Sequence, residues 1–217
     1  MRSRPVIARS ATDVMFCVIS FSFLRFVCTE HILFSLDVYA WRIYIFAMDE
    51  KKTENVIGAM VLGLADAVLR DTENQAPEKG QAAAAIALLR HEPGMPIEQM
   101  RRALGLSHSA TVRLIDRLVT DDLVVRRPSA TDRRAVALHL TEAGDTRCDA
   151  ILSSRFELIA KALQGLDPAE RETYRLLTEK LLSNFVEDLD HAYSVCRLCD
   201  LSACPDCPVA CALQDKA

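Results

Sequence analysis

Apolar positions along this chain follow a helical rhythm almost everywhere, broken once by a short strand-like interval between Leu123 and Leu140. Val56, Met60, Leu64 and Val68 recur every four residues and predict a first helix. Ala82 to Leu89 predicts a second, entered through Pro77 and left at His91-Glu92-Pro93-Gly94. In MPIEQMRRALGLS, Pro96 suits a first helical turn, Ile97, Met100 and Leu104 face one side, and Gly105 supplies a left-handed stop. Ser107 is then a good N-cap, because its hydroxyl can accept from the orphan amides of the next helix. Behind it Val112, Leu114, Ile115, Leu118 and Val119 make one buried stripe, with Arg113 and Arg117 elsewhere on the surface. Leu123-Val124-Val125 and Ala135 to Leu140 have the β-branched, alternating character of strands. The run Arg126 to Arg134 between them is expected to be a solvated loop. Further on, Leu152, Phe156, Ile159 and Leu163 predict a helix that Gly165 can stop. Asp167-Pro168-Ala169-Glu170 combines an N-cap, an N1 proline and an N3 glutamate, and Tyr174, Leu177, Leu181, Phe185 and Leu189 carry the last helix to about Tyr193.

Two helices at a short turn followed by a small hairpin outline a winged helix-turn-helix, a mainly α fold with a small β-wing. Charge sharpens this locally. The whole chain has formal net charge -4 and pI near 5.8, which argues against a protein that coats nucleic acid. Between Arg101 and Arg134, however, eight arginines stand against four aspartates, a local +4 with no lysine. Guanidinium forks suit phosphate oxygens, guanine edges and narrow minor grooves. Charge at helix-turn-helix spacing therefore points to DNA rather than to a merely solvated face.

The run LSHSATVRLIDRLVTDDLVVRRPSATDRRAVALHLTEAG resembles the winged-helix core of MarR-type transcriptional regulators. Its most specific parts are the wing motif Asp132-Arg133-Arg134 and the L-T-x-x-G of Leu140 to Gly144. The likeness extends over roughly residues 56–193. It implies a cytoplasmic homodimer whose N- and C-terminal helices form the dimerisation base. It further implies a transcriptional regulator, a repressor, that binds a pseudo-palindromic operator in double-stranded DNA and responds to metal, redox state or a small-molecule effector. Asp132 would orient Arg134 into a minor groove, while Ser107, His108, Ser109, Thr111 and Arg113 would approach major-groove bases and phosphates. Arg117, Arg126, Arg127 and Arg133 complete the basic set. Asp122 stands where the family commonly has glycine, and aspartate tolerates a left-handed turn better than most residues. The apolar stripes of the first and last helices exceed what so small a lobe can cover, which agrees with a shared interface.

Five of the eight cysteines fall between Cys196 and Cys211, spaced C-x2-C-x4-C-x2-C-x3-C. Three chemistries fit. Cys196, Cys199, Cys204 and Cys207 could ligate zinc as a tetrathiolate, although the link between the pairs is shorter than in ordinary zinc ribbons. An iron–sulfur cluster also uses bunched C-x-x-C pairs, though not at this ferredoxin spacing. A thiol switch closing to disulfides is the third, with Cys211 as substitute ligand or redox partner. Against these stands a reduced, unliganded tail. His191, five residues before Cys196, carries no motif, and Cys148 reads as packing.

Composition divides the chain at residues 1–47, 48–193 and 194–217. The first segment holds six of the eight phenylalanines and the only tryptophan, Trp41. Its longest uncharged apolar run, Val14 to Leu24, is eleven residues, too short to span a bilayer, and no membrane partner is expected. MDEKKTEN from Met48 reads as the start of a soluble helix, with translation beginning there. Seven glycines form no phosphate-cradling loop and no catalytic constellation stands out, so an enzyme is not expected. The remaining alternative is a thiol, electron-transfer or metal-binding protein on a winged-helix scaffold.

Overall fold

The computed structural model describes residues 30–129 and 136–214, with side chains from residue 51 onward. The chain divides into two units, Met1–Ile57 and Gly58–Ala217. Helix α1 (Glu30–Gln75) is already under way at Met48, where the sequence suggested an opening. Every element after α1 belongs to the second unit.

Helix α2 (Ala82–His91) is the centre of this unit. All eight residues from Ala82 to Leu89 are buried, as expected of a helix that is apolar on every face. Its surroundings are α3 (Ile97–Leu104), α5 (Glu142–Ala162) and a three-stranded sheet. That sheet orders β1 (Met95–Pro96), β3 (Val136–Leu140) and β2 (Val124–Pro128), antiparallel throughout. Met95 pairs with Leu138, and Val124 with Leu140.

The helix-turn-helix is built from local rules. Gly105 ends α3 at φ 63°, and the Leu106 amide closes the turn on the Arg101 carbonyl at 3.0 Å. Ser107 caps α4 (His108–Thr120), its hydroxyl accepting from the Ala110 amide at 3.3 Å. After α4 the chain reverses through Asp122 at φ 56°, the left-handed position assigned to it from sequence.

The L-T-x-x-G motif has a steric and a capping role. The Thr141 hydroxyl donates to the Asp122 carbonyl at 2.5 Å and accepts from the Gly144 amide at 3.0 Å, and the Thr141 amide donates to the Leu123 carbonyl at 3.1 Å. This ties the start of α5 to the turn before β2. A Cβ on Gly144 would stand 2.1 Å from the Leu123 carbonyl oxygen, so the first turn of α5 can approach that strand only with glycine.

Three expectations change in this unit. Arg126, Arg127 and Pro128 lie in β2 rather than in a loop, because ladder bonds to β3 need no burial of their side chains. Pro96 is the N-cap of α3, not its first helical residue, since Met95 and Pro96 are held extended against β3. The last helix stops at Phe185: α6 (Pro168–Phe185) gives way at Val186, extended (ψ 127°) and fully buried. Asp188 then caps α7 (Leu189–Val195) by accepting from the His191 amide at 2.8 Å.

The cysteine-rich segment is not an appendage. Leu198 is buried in the same core as α2, and Tyr193 packs against it. Helix α7 lies along α3, and α8 (Pro208–Gln214) along α6. Replacing Gly144 by alanine is expected to cost about 2–3 kcal/mol or more, since backbone must move to admit the methyl group. A thermal melt checks this, and an unchanged midpoint would contradict it.

Candidate functional site

Helix α4 divides cleanly into two faces. Thr111, Leu114, Ile115 and Leu118 are buried, whereas His108, Ser109, Arg113, Asp116, Arg117 and Thr120 are exposed. Ser109, Arg113 and Arg117 are spaced i, i+4, i+8 and so share one exposed side. Thr111 is the correction among the residues expected to approach bases. It is fully buried and its hydroxyl donates to the Ser107 carbonyl at 3.0 Å, so it offers the surface nothing. Ser107 itself is exposed, with its hydroxyl also 3.3 Å from that of Ser109.

Two of the expected contact arginines hold acidic partners. Arg117 pairs with Glu78 at 2.8 Å, and Arg126 reaches from β2 to Asp116 on α4 at 2.7 Å. Both pairs are solvent-exposed and so individually weak. The Arg126 pair nonetheless brings the hairpin alongside the exposed face of α4. Arg127 is exposed on β2. Asp132, Arg133 and Arg134 lie outside the described residues.

Residues 79–135 match the model of the MarR family. That stretch, which spans the helix-turn-helix and the first hairpin strand, is similar to the winged helix of this family. The HTH-type transcriptional repressor MdtR of Bacillus subtilis (strain 168) is 27% identical over 96 residues, which span 44% of this chain and 62% of MdtR. The match thus covers less than two thirds of that relative. Among solved structures, YusO from Bacillus subtilis aligns with a TM-score of 0.53 at 22% identity, over 62% of this chain and 95% of YusO. A MarR family protein from Bacillus stearothermophilus aligns with a TM-score of 0.54 at 19% identity, over 62% and 94%. At such identities the likeness is one of fold.

Beyond the winged helix the chain carries its cysteine cluster. Cys196 closes α7, its amide donating to the Ala192 carbonyl at 2.8 Å, and the Cys199 amide donates back to the Cys196 carbonyl at 2.9 Å. His91, at the end of α2, donates through Nε2 to the Cys199 carbonyl. Cys207 precedes α8, and the Cys211 amide donates to its carbonyl at 3.0 Å. Among the described residues, no three His, Cys, Asp or Glu side chains are arranged to hold a metal ion. His191 is turned to other work: its Nδ1 accepts from the Glu187 amide at 3.3 Å and its ring lies against Phe185. No helix among the described residues is long and apolar enough to cross a membrane.

The thiols differ sharply in acidity. The adjoining Cys196 thiol and the nearby Arg155 guanidinium together outweigh burial and pull the Cys199 thiol down. The same neighbour, with burial, pushes Cys196 up. Burial pushes Cys148 up to about 11, and that side chain is fully covered. Sequence reasoning about C-x-x-C spacing found the cluster but had no means of ranking its members. Brief alkylation of the native protein at neutral pH is expected to label Cys199 and spare Cys148, which reacts only after unfolding. Peptide mass mapping reads the order, and labelling of Cys148 first would contradict it.

Proposed function

We propose that the chain is a homodimeric, sequence-specific DNA-binding transcriptional repressor. The observation that carries this reading is the exposed side of α4. A serine-capped helix start presents Ser107, His108, Ser109 and Arg113 to solvent, immediately beside an arginine-bearing hairpin. An α-helix fits the major groove, and an arginine on its outer side can reach guanine edges or phosphate. Ser107, His108 and Ser109 lie at the positive end of the helix, where backbone amides favour a phosphate. Arg127 and the wing arginines 133 and 134 would extend the contact to the neighbouring groove. Likeness to MdtR, a repressor by name, favours repression over activation.

Dimerisation rests on surface that a single chain leaves bare. Met60, Val61 and Leu62 on α1 and Leu176, Leu177, Leu181 and Phe185 on α6 are all exposed. An apolar surface of this extent on two long helices calls for a partner. A second copy is the occupant that would also present two α4 helices to a two-fold symmetric operator.

Arg113→Ala is expected to lower affinity for a genomic fragment selected by the wild-type protein by roughly tenfold or more, as for loss of one good base or phosphate contact. Arg175→Ala, on α6 and paired with Glu172 and Glu179, should leave that affinity unchanged. Fluorescence anisotropy at fixed salt measures both, and equal affinities for all three proteins would contradict the reading. In sedimentation, Leu177→Asp with Leu181→Asp should convert a dimer to a monomer. A dimer that persists would place the interface elsewhere.

A further inference from the structure

The described part of the molecule has one reactive cluster that DNA reading does not use, and its thiols are arranged as pairs. Cys196 and Cys199 are the two ends of a single reverse turn closed by the 2.9 Å backbone bond between them. The ends of such a turn lie within about 7 Å at Cα, which overlaps the span a disulfide bridges, so the bond can close with little change of backbone. Cys204 and Cys207 have the same spacing, but no backbone bond of this kind joins them among the described residues.

Access selects the member that reacts. Cys199 lines two cavities. One, of about 430 Å³, opens beside Arg90, His91 and Ser202. The other, of about 690 Å³, lies between α5 and α6 and is walled by Arg155, Phe156, Tyr174, Leu182 and Cys204. Cys196 lines neither. A disulfide entering either cavity therefore meets Cys199, with Cys196 at the other end of the same turn as the second thiol.

We propose that Cys196 and Cys199 form a thiol–disulfide exchange site, in which Cys199 takes the first half of a low-molecular-weight disulfide and Cys196 resolves it. The steps balance. Cys199 gives up its proton, and its sulfur attacks one sulfur of RS–SR. The S–S bond breaks, and RS⁻ leaves with the electron pair and takes up that proton as RSH. Cys196 sulfur then loses its proton and attacks the Cys199 sulfur, expelling the second RS⁻, which leaves as RSH. Two protein thiols are oxidised to one disulfide, and RS–SR is reduced to two thiols. The place of Cys199 on the walls of both cavities suits it to the first role, since that is where a disulfide arrives.

Oxidised glutathione is the probe, applied to the full chain after reduction and desalting. Wild-type protein is expected to yield a peptide in which Cys196 and Cys199 are joined. Cys196→Ser should accumulate one stable glutathione adduct on Cys199, and Cys199→Ser should form neither product at that turn. Cys204→Ser and Cys211→Ser should still give the joined peptide. Because a serine variant can misfold, circular dichroism accompanies each, and the wild-type peptide map stands without them. An adduct that accumulates on Cys196 or on the Cys204 and Cys207 pair would overturn the proposal. So would a zinc ion or iron–sulfur cluster that purifies with the chain at one equivalent and is lost on substitution of any of the four cysteines.

Discussion

The burial of α2 on all sides is the constraint on which the remainder of the unit rests. From Ala82 to Leu89 no side of this helix meets solvent, so each neighbour is positioned by how closely it can approach the same short rod. Five of those eight residues are alanine, which lets α5, α3 and β3 come near without leaving gaps that a dense interior penalises. Ile86, Leu88 and Leu89 then fill the space that the alanines leave. The angle of α3 follows from this packing, and with it the placement of α4 across the Gly105 turn.

What could be read from the sequence was local. Gly105, Ser107 and the Asp167–Glu170 box each state their role within four residues, and each adopts it. What could not be read was tertiary. A two-residue strand such as Met95–Pro96 has no periodicity to detect, and exists because β3 offers it a partner. Thr111 carries a polar label yet turns inward, since the helix face was set by Leu114, Ile115 and Leu118 and its hydroxyl is satisfied by the preceding turn. The break after Phe185 left a trace in Asp188, a capping residue, but an apolar stripe running through it outweighed that signal. The docking of the cysteine segment depends on Leu198 finding the α2 core, which no spacing rule conveys.

Arginine surplus on the exposed side of α4 and the adjoining hairpin is partly masked by the chain's own acids. Glu78 holds Arg117 and Asp116 holds Arg126 in exposed pairs. Such pairs contribute little to stability, and a phosphate competes for the same guanidinium on favourable terms. Their effect is to keep the side chains extended and oriented, while the net acidity of the whole chain limits indiscriminate attraction to polyanions.

The contacts between the C-terminal segment and the lobe also bear on how the chain is made. His91 meets Cys199 across 108 positions, and Arg102 meets Asp190 across 88. Contacts so distant in sequence close late, because the loop entropy of the intervening chain must be met first. During synthesis α2, α3 and α4 emerge well before the residues that cover them, so a nascent chain presents α4 on an unfinished core. Completion of that core must await Leu198, more than a hundred positions downstream of α2, which makes competence a property of far more than the helix-turn-helix itself.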